Sequence, residues 1–329
     1  MDVVLSRVIK GDTKHQRIVL GVIILLLVCF LRSVAHASDQ YNVVVVESSG
    51  FKAYEEVLSG FMSTCNCNVK KVVTLDQNKI GAGVLDEIQS LKPKMVFAIG
   101  SSALELLSVI NDIPVVYTMV HNPKPKLEEK KNIIGVTINV PYEKQLSTIT
   151  KIFPKVKRIG ILYNPNNAII TKSLSKAFNS AASLGITLIE GKVQNSKEVV
   201  DTVDTMDGHV EAVWLIPDML VASPELIEYI ILYSIKYKIP VFSFTDKHLD
   251  LGASLSISTL PADLGIQAGE IARLTVYEGI TPNSFINEAK YATVMINKVV
   301  ASKMGFVIGD NYKNKDTLRI DLTKPSGVY

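Results

Sequence analysis

From Tyr41 onward the chain alternates short apolar runs, rich in β-branched residues, with longer segments whose apolar positions recur every three or four residues. The first kind of run predicts a buried strand, and the second predicts an amphipathic helix. Strands that alternate with helices form parallel sheets whose two faces are covered by helices. The pattern therefore predicts an α/β protein built from βαβ units.

The predicted elements fall into two series. The strands of the first series are Val43–Glu47, Val69–Leu75, Met95–Ile99 and Pro114–Thr118, and its helices are Tyr54–Ser63, Val84–Leu91 and Ala103–Ile110. The strands of the second series, which begins after Pro154, are Arg158–Tyr163, Thr187–Glu190, Ala212–Ile216 and Pro240–Phe244, and its helices are Thr171–Leu184, Ser196–Thr205 and Pro224–Lys238. Each series contains enough strands and helices for one α/β lobe.

The remaining segments indicate how the two lobes are joined. Gly135–Val140 looks extended and leads into Pro141, a residue that is tolerated at the first position of a helix. The strand-like Leu255–Ser258, the helix Ala262–Glu278 and the extended Tyr291–Ile296 are too few for a third sheet. We expect the chain to return to the first lobe with the Ala262 helix and then to cross again to the second. Three such crossovers would form a hinge beside a cleft.

The predicted fold class is therefore two Rossmann-like, doubly wound parallel-sheet lobes joined by a three-strand hinge. We expect the N-terminal lobe to comprise residues 38–137 and 260–288, and the C-terminal lobe to comprise residues 138–259 and 289–329.

The N-terminal segment has the layout of an export signal. The apolar run Ile18–Leu31 follows four basic residues and precedes Ala35-His36-Ala37, a small-x-small cleavage site. We expect cleavage after Ala37 and a periplasmic mature protein. The alternative is a retained membrane anchor, although the run is shorter than the roughly 20 residues of a spanning helix and is followed by Arg32.

Cleavage changes the charge balance. The signal contains five of the 35 basic and two of the 32 acidic side chains, so the mature chain carries equal numbers of both signs. The apparent basicity therefore gives no support for nucleic acid as a partner. Only Cys65 and Cys67 would stay in the mature chain, and we expect two free or locally bridged thiols, with a metal or redox role as the less favoured alternative.

The sequence contains none of the common catalytic motifs. The three histidines of the mature chain, His121, His209 and His248, do not have metal-binding spacing, and the sequence contains no nucleophile elbow, Walker loop or Gly-x-Gly-x-x-Gly motif. We expect no enzymatic activity, no cofactor and no metal site.

Small polar residues follow the predicted strands, at the edge where open parallel sheets bind their ligands. The candidate ligand-binding residues are Ser48, Ser49, Gly100, Ser101, Ser102, His121, Asn122, Asn164, Asn167, Asp218, Ser243 and Phe244. Gly100-Ser101-Ser102 opens a helix and would either hold an anionic group or simply cap that helix. Asp218 would either face a ligand cation or be a solvated loop acid.

Aromatic side chains near these loops could stack on a flat ligand. Phe51, Tyr54 and Phe244 are candidates, whereas Tyr163 and Trp214 lie within predicted strands, where a core position is the favoured interpretation.

Several segments resemble the extracytoplasmic ABC-transporter substrate-binding proteins that have the periplasmic-binding-protein type I fold. They include FAIGSSALELL, PVVYTMVHNP, RIGILYNPNN, VWLIPD, PVFSF and, most specifically, GASLSISTLPADLGIQAGEIARLTVYEGITP. The resemblance covers residues 42–306 and implies a two-lobed receptor that closes on a small molecule and delivers it to a permease. Relatives in this family include binders of aromatic amino acids.

The chain departs from the family at two loops. Similar proteins commonly have Thr-Asp-Pro where this chain has His121-Asn122-Pro123, and Gly-Thr or Ala-Thr in place of Gly100-Ser101. Loss of a carboxylate at Asn122 changes the charge of the cleft and weakens the case for an unmodified amino acid as ligand.

Together these features predict a solute-binding protein of an ABC importer that binds an amino acid or a related small organic solute. The expected partners are the ligand and a permease of the inner membrane, and the expected oligomeric state is a monomer. The alternative is a periplasmic sensor that presents its closed form to a membrane signalling protein.

Overall fold

The computed structural model describes residues 40–75, 82–121, 123–127, 129–279 and 286–324. The predicted export signal and Asn122 lie outside the described residues. The described residues from Tyr41 onward belong to one compact unit.

The first sheet has six described strands, all parallel, in the order β11-β5-β4-β3-β1-β2. Its strands are β1 Tyr41–Glu47, β2 Cys67–Thr74, β3 Met95–Ile99, β4 Val115–Val120, β5 Ile133–Thr137 and β11 Ile286–Asn287. Its helices are α1 Lys52–Cys65, α2 Ala82–Leu91, α3 Ser101–Leu107 and α9 Pro261–Tyr277, and we call this sheet with these helices the first lobe.

The second sheet has seven described strands in the order β13-β12-β10-β9-β8-β6-β7. Its strands are β6 Arg158–Tyr163, β7 Thr187–Lys192, β8 Ala212–Trp214, β9 Val241–Ser243, β10 Leu255–Ser258, β12 Tyr291–Ile296 and β13 Thr317–Asp321. The neighbouring strands β7, β6, β8, β9 and β10 are parallel to one another. Strand β12 is antiparallel to β10, and β13 is antiparallel to β12. The helices are α4 Tyr142–Ile152, α5 Ala168–Ser183, α6 Lys197–Asp204, α7 Pro224–Tyr237, α8 Lys247–Leu251 and α10 Lys298–Lys303, and the whole is the second lobe.

Continuous apolar strands are buried on both faces, as the sequence pattern predicted. In β1, Val43 and Val45 face one core of apolar side chains, while Val44 and Val46 face another. Successive residues of a strand point to opposite faces of the sheet, so such a run needs helices on both sides. The predicted fold class, two doubly wound α/β lobes, is confirmed.

Helix α9 returns to the first lobe. It packs along α1, and glycines from both helices lie where the two backbones approach most closely. The predicted helix Ala262–Glu278 is therefore correct within one residue at each end.

Three crossovers join the sheets within the described residues: one after β5, one between β10 and α9, and one between β11 and β12. Side chains tie them in place. The Thr259 hydroxyl donates to the Ile138 carbonyl at 3.1 Å. The Gln267 amide donates to the Glu288 carbonyl and accepts from the Lys290 N–H, both at 2.9 Å. The lobe boundaries given above and a hinge motion at these crossovers stay predictions.

Three local details differ from the sequence analysis. The segment Gly135–Val140, expected to be a crossover, begins inside the fifth strand of the first sheet. Helix α3 begins at Ser101, two residues earlier than predicted, so Ser101 and Ser102 form its first turn. Strand β13 was not predicted, because its alternating polar residues and largely exposed pattern give a weak apolar signal.

Strand β2 is the outermost strand of the first sheet and contains an irregularity. Val43 pairs with Val69 and Val44 pairs with Lys71, which leaves Lys70 without a partner in the ladder. One extra residue on one strand of a pair is a β-bulge.

Cys65 and Cys67 form a disulfide at the end of α1. Of the two states expected for these thiols, free or locally bridged, the structure shows the bridged one.

Among the helices of the described residues, none is long and apolar enough to cross a membrane.

Candidate functional site

A cleft of about 790 Å³ lies between the two sheets, at the carboxyl ends of their parallel strands. Both lobes and two crossovers contribute to its walls. The first lobe contributes Phe51, Tyr54, Met119, His121 and Pro261. The second lobe contributes Tyr142, Gln145, Pro217, Phe244, Thr245, Asp246, Lys247, Ile257 and Ser258. The crossovers contribute Ile138, Asn139, Val140, Thr259 and Leu260. Open parallel sheets bind ligands at this edge, so the cleft is the candidate site.

Aromatic rings face the cleft from both lobes. Phe51 and Tyr54 meet edge to face with ring centroids 5.8 Å apart. Phe244, from the second lobe, lies edge to face with His121 of the first lobe at 6.4 Å. Rings arranged in this way offer flat apolar surface on which a planar ligand can stack.

His121 is held by a side chain of the first crossover. Its Nδ1 lies 2.8 Å from the Asn139 Oδ1, and the Asn139 amide nitrogen donates to the His121 carbonyl. Because the oxygen of Asn139 can only accept, Nδ1 carries the proton and Nε2 is an acceptor in the neutral ring. Partial desolvation by the surrounding protein atoms lowers the pKa of His121, and the hydrogen bond with Asn139 opposes this change. The residue still keeps contact with solvent.

The predicted serine cluster of the first lobe surrounds Tyr54 instead of lining the cleft. The Ser48 hydroxyl, in the loop after β1, accepts the Ala103 N–H at 2.9 Å and so caps α3. Gly100 has a φ of 93°, and a Cβ there would lie 2.4 Å from the Tyr54 hydroxyl. Burial raises the pKa of Tyr54, while the nearby hydroxyls of Ser49 and Ser48 oppose that change.

Ser101 and Ser102 are exposed in the first turn of α3. Ser101 lines a separate cavity of about 100 Å³ beside Lys124, outside the cleft. The capping hydrogen bond of α3 comes from Ser48, and neither Ser101 nor Ser102 lines the cleft, so neither role predicted for these two serines is seen among the described contacts.

In the second lobe, three predicted residues hold the loops beneath the cleft. Asn164 accepts the Asn166 N–H at 2.9 Å, and Asn167 accepts the Ile170 N–H at 3.3 Å as the N-cap of α5. Ser243 is buried and lies 2.7 Å from His248 Nδ1. None of these three side chains lines the cleft.

Asp218 is only 2% exposed, so it is not a solvated loop acid. Its two carboxylate oxygens accept the N–H groups of Asn164 at 3.0 Å and Leu220 at 2.9 Å. Among the described residues, no cation pairs with it. Burial, and after it the charge of Asp218, raise the pKa of Tyr142, a residue of the cleft wall.

Of the twelve predicted residues, the structure brings His121 and Phe244 into the cleft wall, whereas the buried Asp218 does not line it. Trp214 and Tyr163 are buried in strands, as predicted. Tyr142, Gln145 and Asn139 line the cleft but were not predicted as site residues. The start of a helix at Pro141 was the signal available, but only strand ends were considered as ligand positions.

The described residues bring together no group of three or more side chains suited to a metal ion.

Residues 60–316 match the family described as ABC transporter substrate binding protein. The chain belongs to this family. A curated relative, the tyrosine-binding protein of Clostridioides difficile strain R20291, is 25% identical over 204 residues. This alignment covers 60% of the chain and spans 58% of the length of that relative.

Solved structures share the fold. A conserved domain protein of Vibrio cholerae has a TM-score of 0.58 at 24% identity, covering 83% of this chain and 97% of that one. A ligand-free, open substrate-binding protein with adhesive properties from Clostridium difficile has a TM-score of 0.67 at 19% identity, with 84% and 97% covered. The ABC domain in complex with L-Trp from Streptococcus pneumonia has a TM-score of 0.59 at 20% identity, with 83% and 97% covered.

Proposed function

We propose that this substrate-binding protein is exported to the periplasm, where it closes its two lobes on a small molecule and delivers it to an ABC permease. The observation that carries the proposal is the cleft of about 790 Å³, whose walls come from both sheets and from the crossovers between them. A ligand that contacts both lobes binds the closed form better than the open form, and so shifts the population toward closure.

The ligand that fits this cleft best is an aromatic amino acid or a close derivative. Phe51, Tyr54, Tyr142 and Phe244 offer ring surface, and the Nε2 of neutral His121 accepts a hydrogen bond. Two relatives point the same way, since one is named for tyrosine and the other holds L-Trp.

The carboxylate of Asp218 is the candidate partner for a ligand ammonium group. A buried carboxylate without a cationic partner is unfavourable, and an ammonium group close to it removes that cost. In this mechanism, closure brings the ligand ammonium toward Asp218 past the Tyr142 ring while both lobes exclude water.

The test combines a binding panel with a measurement of shape. The amino acids and small organic acids are titrated calorimetrically, and small-angle scattering follows the radius of gyration. We expect L-tyrosine or L-tryptophan to bind in the micromolar range and to compact the protein. Failure of every compound to bind, together with an unchanged radius of gyration, would refute solute binding.

A substitution tests the role of Asp218. We expect Asp218→Asn to weaken binding of L-tyrosine at least about tenfold, because the neutral amide no longer attracts the ammonium. Asp112→Asn is the matched control and should leave binding unchanged, since Asp112 is an exposed carboxylate that does not line the cleft. Binding of 3-(4-hydroxyphenyl)propionate, which lacks the amine, should be equal in the wild type and Asp218→Asn. Equal loss for both ligands would contradict an ammonium site.

A further inference from the structure

Gln145 connects two parts of the molecule that ligand binding would use. It is 3% exposed, and its side chain forms part of the cleft wall. Its amide nitrogen donates to the Val140 carbonyl at 2.8 Å, and its amide oxygen accepts the Trp214 Nε1–H at 3.0 Å. One side chain thus holds both the first crossover and the indole of Trp214.

Trp214 in turn supports a ring of the cleft. It is 1% exposed, and it meets Tyr142 edge to face with ring centroids 5.1 Å apart. Tyr142 lies at the start of α4, immediately after the crossover that contains Val140. A displacement of the Tyr142 ring therefore acts on Trp214, and through Gln145 on the crossover.

Gln267 provides a comparison within the same chain. It is also a buried glutamine that holds a crossover with both ends of its amide, in this case through Glu288 and Lys290. Its side chain is not part of the cleft wall, and neither of those two hydrogen bonds reaches an aromatic ring. Gln267 thus secures a crossover without contact to the ligand cleft, whereas Gln145 secures a crossover and a ring of the cleft together.

We infer that Gln145 is a positioning residue that couples the Tyr142 wall of the cleft to the first crossover, so that ligand contact with Tyr142 favours lobe closure. This inference rests on the proposed function for its ligand-dependent part. The hydrogen-bonded link itself is testable without any ligand.

The ligand-free test uses the fluorescence of Trp214, the only tryptophan in the sequence. Gln145→Met keeps a similar side-chain volume but removes both hydrogen bonds, so we expect the emission maximum to shift to shorter wavelength. Gln145→Glu keeps an acceptor for the indole and should leave the emission unchanged. Gln267→Met should also leave it unchanged.

Hydrogen exchange measures the crossover in the same ligand-free proteins. Gln145→Met should raise exchange in the segment 138–140, while Gln267→Met should raise it near 288–290 only. Gln145→Glu should behave like the wild type at acidic pH, where the protonated carboxyl can donate to Val140, and like Gln145→Met at alkaline pH. A general loss of packing would not produce this pH-dependent recovery.

The ligand-dependent test titrates L-tyrosine and L-tryptophan and records compaction by scattering. We expect Gln145→Met to weaken binding about tenfold and to reduce compaction, and Gln267→Met to change binding less than about twofold. Trp214→Phe removes the indole N–H but keeps a ring behind Tyr142, and it should weaken binding about threefold.

The results test the coupling through Gln145 and the proposed solute-binding function separately. Identical effects of Gln145→Met and Gln267→Met on binding, or unchanged Trp214 emission in Gln145→Met, would overturn the coupling. If the wild-type protein binds no compound of the panel, the proposed function fails, while emission and exchange still decide whether Gln145 links Trp214 to the crossover. If Gln145→Met does not fold, Gln145→Glu and Trp214→Phe carry the comparison.

Discussion

Gly265 of α9 lies directly against the main-chain carbonyl of Val57 in α1, so that a Cβ at position 265 would be 2.0 Å from the Val57 oxygen. Atoms cannot approach that closely, and the neighbouring atom belongs to backbone that cannot rotate away. Helix α1 carries Phe51 and Tyr54 to the cleft at one end, and α9 begins at the second crossover. The absence of a side chain at Gly265 thus fixes the position of one cleft wall relative to a crossover.

We therefore expect Gly265→Ala to lower the free energy of unfolding by about 3 kcal/mol, because the two helices must separate to admit the methyl group. Urea denaturation followed by circular dichroism measures the change. The matched control is Gly83→Ala, since a Cβ at Gly83 in α2 meets no atom within 4 Å. The control should be neutral or more stable by up to about 1 kcal/mol, because alanine favours a helix. Equal stability of the two variants would contradict the close packing.

Phe244 and Phe51 should differ in their contribution to ligand binding. Phe244 is partly buried and contacts the His121 ring across the cleft, whereas Phe51 is 65% exposed. We expect Phe244→Ala to weaken binding of L-tyrosine or L-tryptophan about tenfold and Phe51→Ala about twofold, as measured by calorimetry. A larger loss for Phe51→Ala would mean that the ring of the first lobe is the main ligand contact.

Acid should destabilise the loop that carries Phe244. Ser243 accepts the Thr245 N–H at 3.3 Å and lies 2.7 Å from His248 Nδ1, so its hydroxyl is free to donate to an unprotonated imidazole nitrogen. Burial lowers the pKa of His248, an effect that Asp246 opposes and Lys247 supports.

A histidine whose pKa is lower in the folded protein gives its full stability above its unfolded pKa of about 6.5, and loses that stability as the pH falls through the folded pKa. We expect the melting temperature of the wild type to fall between about pH 7 and about pH 5, and His248→Gln to flatten part of that fall. His121, whose pKa is also lowered, accounts for a further part. An unchanged pH profile in His248→Gln would contradict the assignment.

The disulfide should contribute to stability without affecting the cleft. Cys65 and Cys67 close a very short loop at the end of α1 opposite Phe51. The chain-entropy treatment gives about 1–2 kcal/mol for such a loop. We expect Cys65→Ala with Cys67→Ala to lower the free energy of unfolding by that amount and to leave ligand affinity unchanged, with chemically reduced wild type as the control. Loss of affinity in both forms would show that the bridge reaches the site.

The sequence was most informative about the strands. Met95–Ile99 and Arg158–Tyr163 have the predicted bounds, because each is dominated by a run of apolar residues that a sheet can bury. Leu255–Ser258 also has the predicted bounds, although its two apolar residues alternate with serines. The site was harder to predict, since serine and asparagine cap helices as readily as they contact ligands. Asn167 proved to be a cap, and only the folded arrangement shows this.

Tyr142 was missed for a related reason. Its place in the cleft depends on how the first crossover directs α4 between two sheets, and this relation between distant segments leaves no local pattern in the sequence.

The bulge in strand β2 has a consequence for how the protein behaves in a crowded compartment. An outer strand offers free N–H and C=O groups to any extended chain nearby, but the unpaired Lys70 breaks their spacing, and Lys70 and Lys71 are both exposed. A second strand that docked there would have to skip a residue and accommodate the ammonium group of Lys70 beside the ion pair of Lys71 with Glu87. The first sheet therefore protects its own edge against aggregation while the cleft stays open to solutes.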